Sequence, residues 1–306
     1  MKKEYAKTRV RGALVACTAA LLAMLSLPAW TQTRRALVIG LGQQQDKNWN
    51  KINGDRDVPF VVEMLKGAGF RSIATLVNQN ATKAGIVGAF RSLAASCRQG
   101  DIVYVHYSGH GQQMRDVHDD EADWLDECWI PYDACRYACA SDRGEMHLTD
   151  DEVNYWLNAI RDKVGGSGKM LVVIDACHSG DGTRNEDGNV VRGVEDVFET
   201  VRAAGLPGGG ERTATNVRAR PLPERWTTLS ACRSDQVNSE MKRPVAGKLT
   251  YALYRMVAEH PADGNGEFMQ RVRTFFLSNA GSQPQTPVMT GDGRYRCNIT
   301  DILRRR

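Results

Sequence analysis

The sequence predicts an α/β fold in one domain, with a mostly parallel central sheet and helices on both faces. Three observations carry this. From residue 34 onward, short apolar β-rich runs alternate with amphipathic stretches, the pattern of strands joined by helices. Two of the runs, DIVYVHY at 101–107 and KMLVVID at 169–175, read as buried strands. With 42% hydrophobic and 25% charged residues over 306 positions, the composition is globular and excludes disorder, collagen-like repeats and a coiled coil.

The elements follow in order. Ala36 to Leu41 is a strand, and Asp57 to Ala68 a helix with Pro59 in its first turn and Gly69 beyond its end. Ser72 to Val77 is strand-like, and Thr82 caps a helix running to Cys97. After the strand at 101–107 comes a short one at Cys128–Pro131. Thr149 or Asp150 then caps a helix reaching Lys163, with Glu152 placed to close a capping box. The strand at 169–175 ends the first half. Residues 181–224 lose the pattern among glycines and scattered charges and read as a flexible linker or loop, with a short helix near 194–203. Order resumes with a strand at Trp226–Ala231 and helices at Leu249–Glu259 and Glu267–Asn279.

The formal charge of +4 is concentrated at the front. Residues 1–31 hold Lys2, Lys3, Lys7, Arg9 and Arg11 against Glu4, leaving the remainder neutral. That basic stretch precedes an apolar run at 13–27, short for a membrane span, so residues 1–31 read as a signal peptide and 32–306 as the exported domain. A retained N-terminal anchor is the alternative. A neutral mature chain without a basic stripe speaks against nucleic acid as a partner. Setting Cys17 aside leaves seven cysteines, an odd number, with Cys135 and Cys139 spaced for a local disulfide.

The chemistry sits at two strand ends. DIVYVHY breaks at Ser108-Gly109-His110-Gly111, and KMLVVID breaks at Ala176-Cys177-His178-Ser179-Gly180. Ligands bind beyond the carboxyl ends of strands in open α/β sheets. If these strands are parallel neighbours, His110 and Cys177 share one edge although 67 positions apart. A thiol needs an imidazole nearby to act as a nucleophile at neutral pH, and the flanking glycines admit substrate to the backbone. His106, inside its strand, reads as a packed residue, and His178 is poorly placed to serve its own neighbour.

Tyr107-Ser-Gly-His-Gly111 and Asp175-Ala-Cys-His-Ser-Gly180 resemble the His and Cys motifs of metacaspases, the bacterial and protist relatives of caspases. The likeness spans residues 34–291 and includes Gly54-Asp-Arg-Asp-Val58, Trp129-Ile-Pro-Tyr-Asp133 and Thr228-Leu-Ser-Ala-Cys-Arg233. It implies the caspase-hemoglobinase fold and a cysteine endopeptidase acting on protein or peptide substrates. Cys177 would be the nucleophile and His110 its acid–base partner, with the N–H groups of Gly111 and Cys177 as the oxyanion hole. It also implies an acidic pocket for Arg or Lys from Asp57, Ser108 and Asp175, with Asp55 as a substitute for Asp57. Asp175, two positions before the nucleophile, favours a cationic side chain over an acidic one. Calcium as an activator is implied at Asp126, Asp150 and Asp151, and self-processing within 181–224. The chemistry itself requires no cofactor. Competing readings are an inactive peptide-binding scaffold and a legumain-like or clostripain-like protease of other specificity.

Overall fold

The computed structural model describes residues 32–115, 125–177, 188–199, 223–281 and 283–306. The apolar run at 13–27, read above as an export segment, lies outside them. No helix among the described residues is long and apolar enough to cross a membrane.

Five parallel strands form the central sheet: β1 (Arg34–Gly40), β2 (Ser72–Val77), β3 (Ile102–Ser108), β7 (Lys169–Asp175) and β8 (Thr227–Ser230). The antiparallel β11 (Val288–Thr290) closes one side, giving the order β11-β8-β7-β3-β1-β2. Side chains alternate across these strands, so each strand feeds two cores. Ala36, Val38, Tyr104, Leu171 and Val173 face one layer. It holds α1 (Gly54–Gly67), α4 (Lys248–Glu259), α5 (Asn265–Ser278) and the short α6 (Ile299–Leu303). Leu37, Ile39, Val103, Val105 and Val172 face the other, against α2 (Lys83–Ser96) and α3 (Asp150–Val164). Each fully buried aliphatic or aromatic side chain contributes about 1.5–3 kcal/mol, so β3, buried along its whole length, is firmly held.

The caps follow the sequence. Thr82 Oγ1 accepts from Gly85 N at 3.0 Å, and Thr149 Oγ1 from Glu152 N at 3.3 Å. Helix α1 begins at Gly54, earlier than the pattern indicates, so Asp57 lies inside its first turn and is not a cap. Two small sheets lie beside the central one: β4 (Gly111–Arg115), β5 (Leu125–Trp129), which overlaps the short strand expected at Cys128–Pro131, and β6 (Leu148–Thr149), and the hairpin of β9 (Glu240–Lys242) and β10 (Val245–Gly247); β6, β9 and β10 are too short to show a period. Cys135 and Cys139 are joined as a disulfide, and Cys97, Cys128, Cys177, Cys232 and Cys297 are buried as thiols.

Within 181–224, residues 188–199 and 223–224 are described, and 188–199 are packed against the domain. Val191, Val194 and Phe198 are buried. The helix expected near 194–203 is not formed over 194–199. Phe198 pairs instead with Met114, its N–H bonded to Gln113 O at 2.7 Å, so the sheet takes the donor a helix would need. Residues 200–203 lie outside the described part.

Candidate active site

Parallel pairing of β3 with β7 puts Ser108 opposite Asp175. His110 and Cys177 each follow two residues later, so both leave the same edge of the sheet. The turn carrying His110 is clamped by Tyr107, whose hydroxyl donates to His110 O at 2.6 Å and accepts from Ile130 N at 2.9 Å. Its ring is stacked on Trp129 with centroids 4.4 Å apart. A Cβ at Gly109 would stand 2.5 Å from that hydroxyl, so this turn needs glycine.

His110 is 0% exposed. Its Nε2 lies 2.8 Å from the carbonyl oxygen of Asn50, and the Trp49 ring lies 5.0 Å away, tilted by 33°. A carbonyl only accepts, so this bond puts the proton on Nε2 and leaves Nδ1 with its lone pair. Nδ1 has no hydrogen-bond partner. Burial pushes the imidazole down to about 4, against the opposing pull of Asn50 O, so it is neutral at neutral pH. Cys177 is 1% exposed, and its Sγ donates to Gln236 O at 2.7 Å. The Cys232 thiol is raised well above its ordinary range by a hydrogen bond with Cys177 and by burial. Gly111 opens β4 opposite Trp129. His178 lies outside the described residues. His106 is packed, as expected, but is also wired: its ring nitrogens stand 2.9 Å from Tyr104 Oη and 2.9 Å from Ser108 Oγ.

Beside Cys177 lies a buried acidic pocket, filled by the chain's own Arg192. The guanidinium Nη1 meets Asp57 Oδ2 at 2.7 Å, Asp175 O at 3.1 Å and Asp175 Oδ1 at 3.5 Å. Its Nε donates to Glu240 Oε1 at 2.9 Å. Ser108 Oγ donates to Asp57 Oδ2 at 2.8 Å, and Gly247 N to Asp57 Oδ1 at 2.8 Å. Asp175 accepts from Asn238 Nδ2 at 2.8 Å and from Thr250 Oγ1 at 2.7 Å. Burial pushes the Asp57 carboxyl up to about 6, against the pull of Arg192. Burial pushes Asp175 up as well, but Arg192, Asn238 and Thr250 outweigh it and hold its carboxyl below the usual range. Asp55 is not in the pocket; it accepts from Asn78 Nδ2 at 3.2 Å.

The backbone around Arg192 is as ordered as its side chain. Arg192 O accepts from Cys177 N at 2.8 Å, Arg192 N donates to Asn238 O at 2.9 Å, and Glu240 N donates to Val190 O at 2.8 Å. Val191 and Ser239 form an antiparallel bridge. The segment is therefore an added strand whose arginine carbonyl rests on the N–H of the cysteine. Beyond Gly193, Val194 and Phe198 are buried with Trp49, Met114 and Ile130.

These features match a known family. The caspase-domain family model matches residues 33–294. The chain belongs to the caspase-domain family. Curated proteins similar to it include metacaspases. Metacaspase-2 of Arabidopsis thaliana is 30% identical over 48% of this chain and 34% of its own length. Metacaspase-1 of Ajellomyces capsulatus is 26% identical over 76% of this chain and 62% of its own. The caspase-domain chain thus spans about one third to three fifths of the length of these relatives. A crystal structure of a Geobacter sulfurreducens protein superposes with a TM-score of 0.64 at 23% identity, covering 89% of this chain and 97% of that one, which shows the shared fold.

The acids named for calcium are less gathered. Asp126 is buried on β5, and Asp150 and Asp151 open α3. The Cys128 thiol, also on β5, is raised by burial and then by Asp126 and Asp150. Among the described residues no three His, Cys, Asp or Glu side chains stand as one metal-binding group. The acids at 116–124 lie outside them.

Sequence reasoning missed Glu240, Asn238, Gly247 and Thr250. Glu240 and Gly247 come from three-residue strands and Asn238 from the segment before them, where no periodicity exists to place them, and Thr250 lies in the first turn of a helix whose pattern does not show what that turn faces. Arg192 was one of seven arginines between 184 and 225, and nothing in the sequence singles it out.

Proposed function

We propose that this chain is a cysteine endopeptidase that cleaves after arginine or lysine, with Cys177 as nucleophile and His110 as general acid–base. The observation that carries this reading is Arg192. It is a basic side chain buried among Asp57, Asp175 and Glu240, with its carbonyl 2.8 Å from Cys177 N. An arginine so held leaves its carbonyl carbon beside the cysteine, the arrangement a nucleophile needs. The first bond cut is then Arg192–Gly193 of the chain itself, and the uncut chain occupies its own pocket.

In that reaction Cys177 Sγ bonds to the carbonyl carbon as its proton passes to His110 Nδ1. The oxygen takes negative charge on the N–H groups of Cys177 and Gly111. Collapse breaks the C–N bond, and His110 returns the proton to the Gly193 nitrogen. Water, deprotonated by the same nitrogen, then splits the thioester. The neutral state of His110 suits the first step, since an uncharged imidazole accepts the proton.

Export by residues 1–31 and stimulation by calcium belong to the same proposal. The donors at Asp126, Asp150 and Asp151 are oxygens carrying the charge a hard cation takes. No chemical step uses it. Titrating calcium into metal-free protein, with EGTA reversal, tests this by activity and by thermal shift.

The decisive experiment pairs peptide hydrolysis with intact-mass spectrometry. The wild type is expected to hydrolyse Arg and Lys fluorogenic peptides, leave Asp peptides intact and yield fragments ending at Arg192. Cys177→Ala is expected to remain whole. Identical fragments in both proteins would overturn self-processing, and preference for Asp peptides would overturn the pocket.

A further inference from the structure

We propose that Glu240 makes this pocket select arginine over lysine; the proposal rests on reading the site as the pocket for the residue before the cut. Three acids surround Arg192, and they do different work. Asp57 and Asp175 meet Nη1, at the end of the side chain, where any cation could sit. Glu240 alone meets Nε, at 2.9 Å, and Nε is an atom lysine lacks.

Chain length makes the difference sharp. Counting from Cα, the Cε methylene of lysine occupies the place of arginine Nε, and the ammonium falls at the place of the guanidinium carbon. With lysine bound, the ammonium would stop one bond short of where Nη1 meets Asp57. Glu240 would face a methylene. A buried carboxylate opposite carbon loses a charge-assisted hydrogen bond and regains no water. Sites built around such a bond reject the analogue that lacks the donor.

Glu240 is also held by groups other than the arginine. Asn53 donates to it through its backbone N, at 2.7 Å to Oε1, and through Nδ2 to Oε2. Asn53 precedes α1, the helix that carries Asp57, so both acids are positioned from one element. The backbone of Glu240 meanwhile holds the added strand through Val190 O. One residue thus pairs with the segment and reads its arginine. The Nη2 atom of Arg192 has no hydrogen-bond partner, so recognition runs through Nε and Nη1.

The test compares kcat/KM for peptides identical except for Arg or Lys before the cut, in the wild type and in Glu240→Gln. The glutamine keeps the size, but Asn53 and the ligand then compete for a single acceptor oxygen. The wild type is expected to favour Arg by at least about tenfold. Glu240→Gln is expected to lose about tenfold on Arg, carried mainly in KM, and less than about threefold on Lys, so the ratio approaches one. Asn53→Ala, which leaves the carboxylate in place but frees it, is expected to lower the ratio part of the way and serves if the first variant fails to fold. An unchanged ratio in folded variants that cut both peptides overturns the role of Glu240 and leaves the peptidase reading standing. A wild type that cuts neither peptide overturns both.

Discussion

The acidic pocket and the proposed catalytic pair sit side by side and are finished to different degrees. In the pocket, Asp57, Asp175 and Glu240 all have partners, and Arg192 satisfies them from within a buried site. At the catalytic pair, His110 keeps an unpartnered Nδ1, and the Cys177 thiol rests on a backbone carbonyl. The difference teaches how such a site divides its work. Recognition groups are stable when saturated, because unpaired buried charge is costly. Reactive groups must hold an unused lone pair or a proton ready to leave, and they carry that cost.

The sharpest way to break the comparison is to remove the reactive side alone. Cys177→Ala and His110→Ala are each expected to lower peptide hydrolysis by at least about 10³-fold, with the melting temperature nearly unchanged in Cys177→Ala and lowered in His110→Ala, which empties the buried place of the ring. Turnover within tenfold of the wild type would remove that residue from the reaction.

The reverse experiment damages recognition and spares the thiol. A Cβ on Gly247 would stand 2.2 Å from Asp175 Oδ2 and 2.6 Å from Arg192 Nη1. Gly247→Ala is expected to reduce cleavage of Arg peptides by about 10²-fold, as misplacement on the ångström scale does. Alkylation of Cys177 by iodoacetamide should keep its wild-type rate. Equal loss of both would mean that the two regions are not separable.

Acid titrates the regions in opposite directions. Burial holds His110 and His106 at about 4, below their ordinary 6.5. Both stay neutral in the fold while the unfolded chain takes up protons. Their contribution is complete above about pH 6.5 and is lost as pH falls toward 4, by about 1.4 kcal/mol per pH unit for each. Asp57, raised to about 6, works against them: its contribution is complete below its ordinary 3.8 and is lost as pH rises through 6. Between pH 4 and 6 it offsets one histidine. The melting temperature is therefore expected to fall as pH drops from 6.5 to 4, and to fall less in His106→Gln. A slope unchanged by that substitution would contradict the assignment.

The smallest effect lies outside both regions. Thr149→Ala removes the cap of α3 and is expected to cost about 1 kcal/mol, read as a lower melting temperature with peptide hydrolysis unaltered.

What the sequence made legible follows the same division. Strands β3 and β7 announce themselves as apolar runs long enough to be buried, and their parallel pairing follows from the fold class. That places His110 and Cys177 on one edge. Asp57 was legible as a pocket residue only through the family resemblance; the residue pattern alone showed part of a helix, and its direction into the pocket depends on the start of α1 at Gly54, three residues before that pattern suggests. Glu240 and Gly247 were illegible because a three-residue strand has no period. Position 192 was illegible because selecting one arginine from seven requires the register of Val191 against Ser239, a contact between distant segments.

The placement of Arg192 also has a kinetic consequence. A ligand tied to its own receptor meets it at a concentration fixed by the connecting chain and not by the amount of protein in solution. If the proposed cleavage at Arg192–Gly193 occurs within one molecule, it is a first-order event with a half-life that dilution does not lengthen. On that reading each chain carries its own timer, and a single molecule keeps the same time as a crowd.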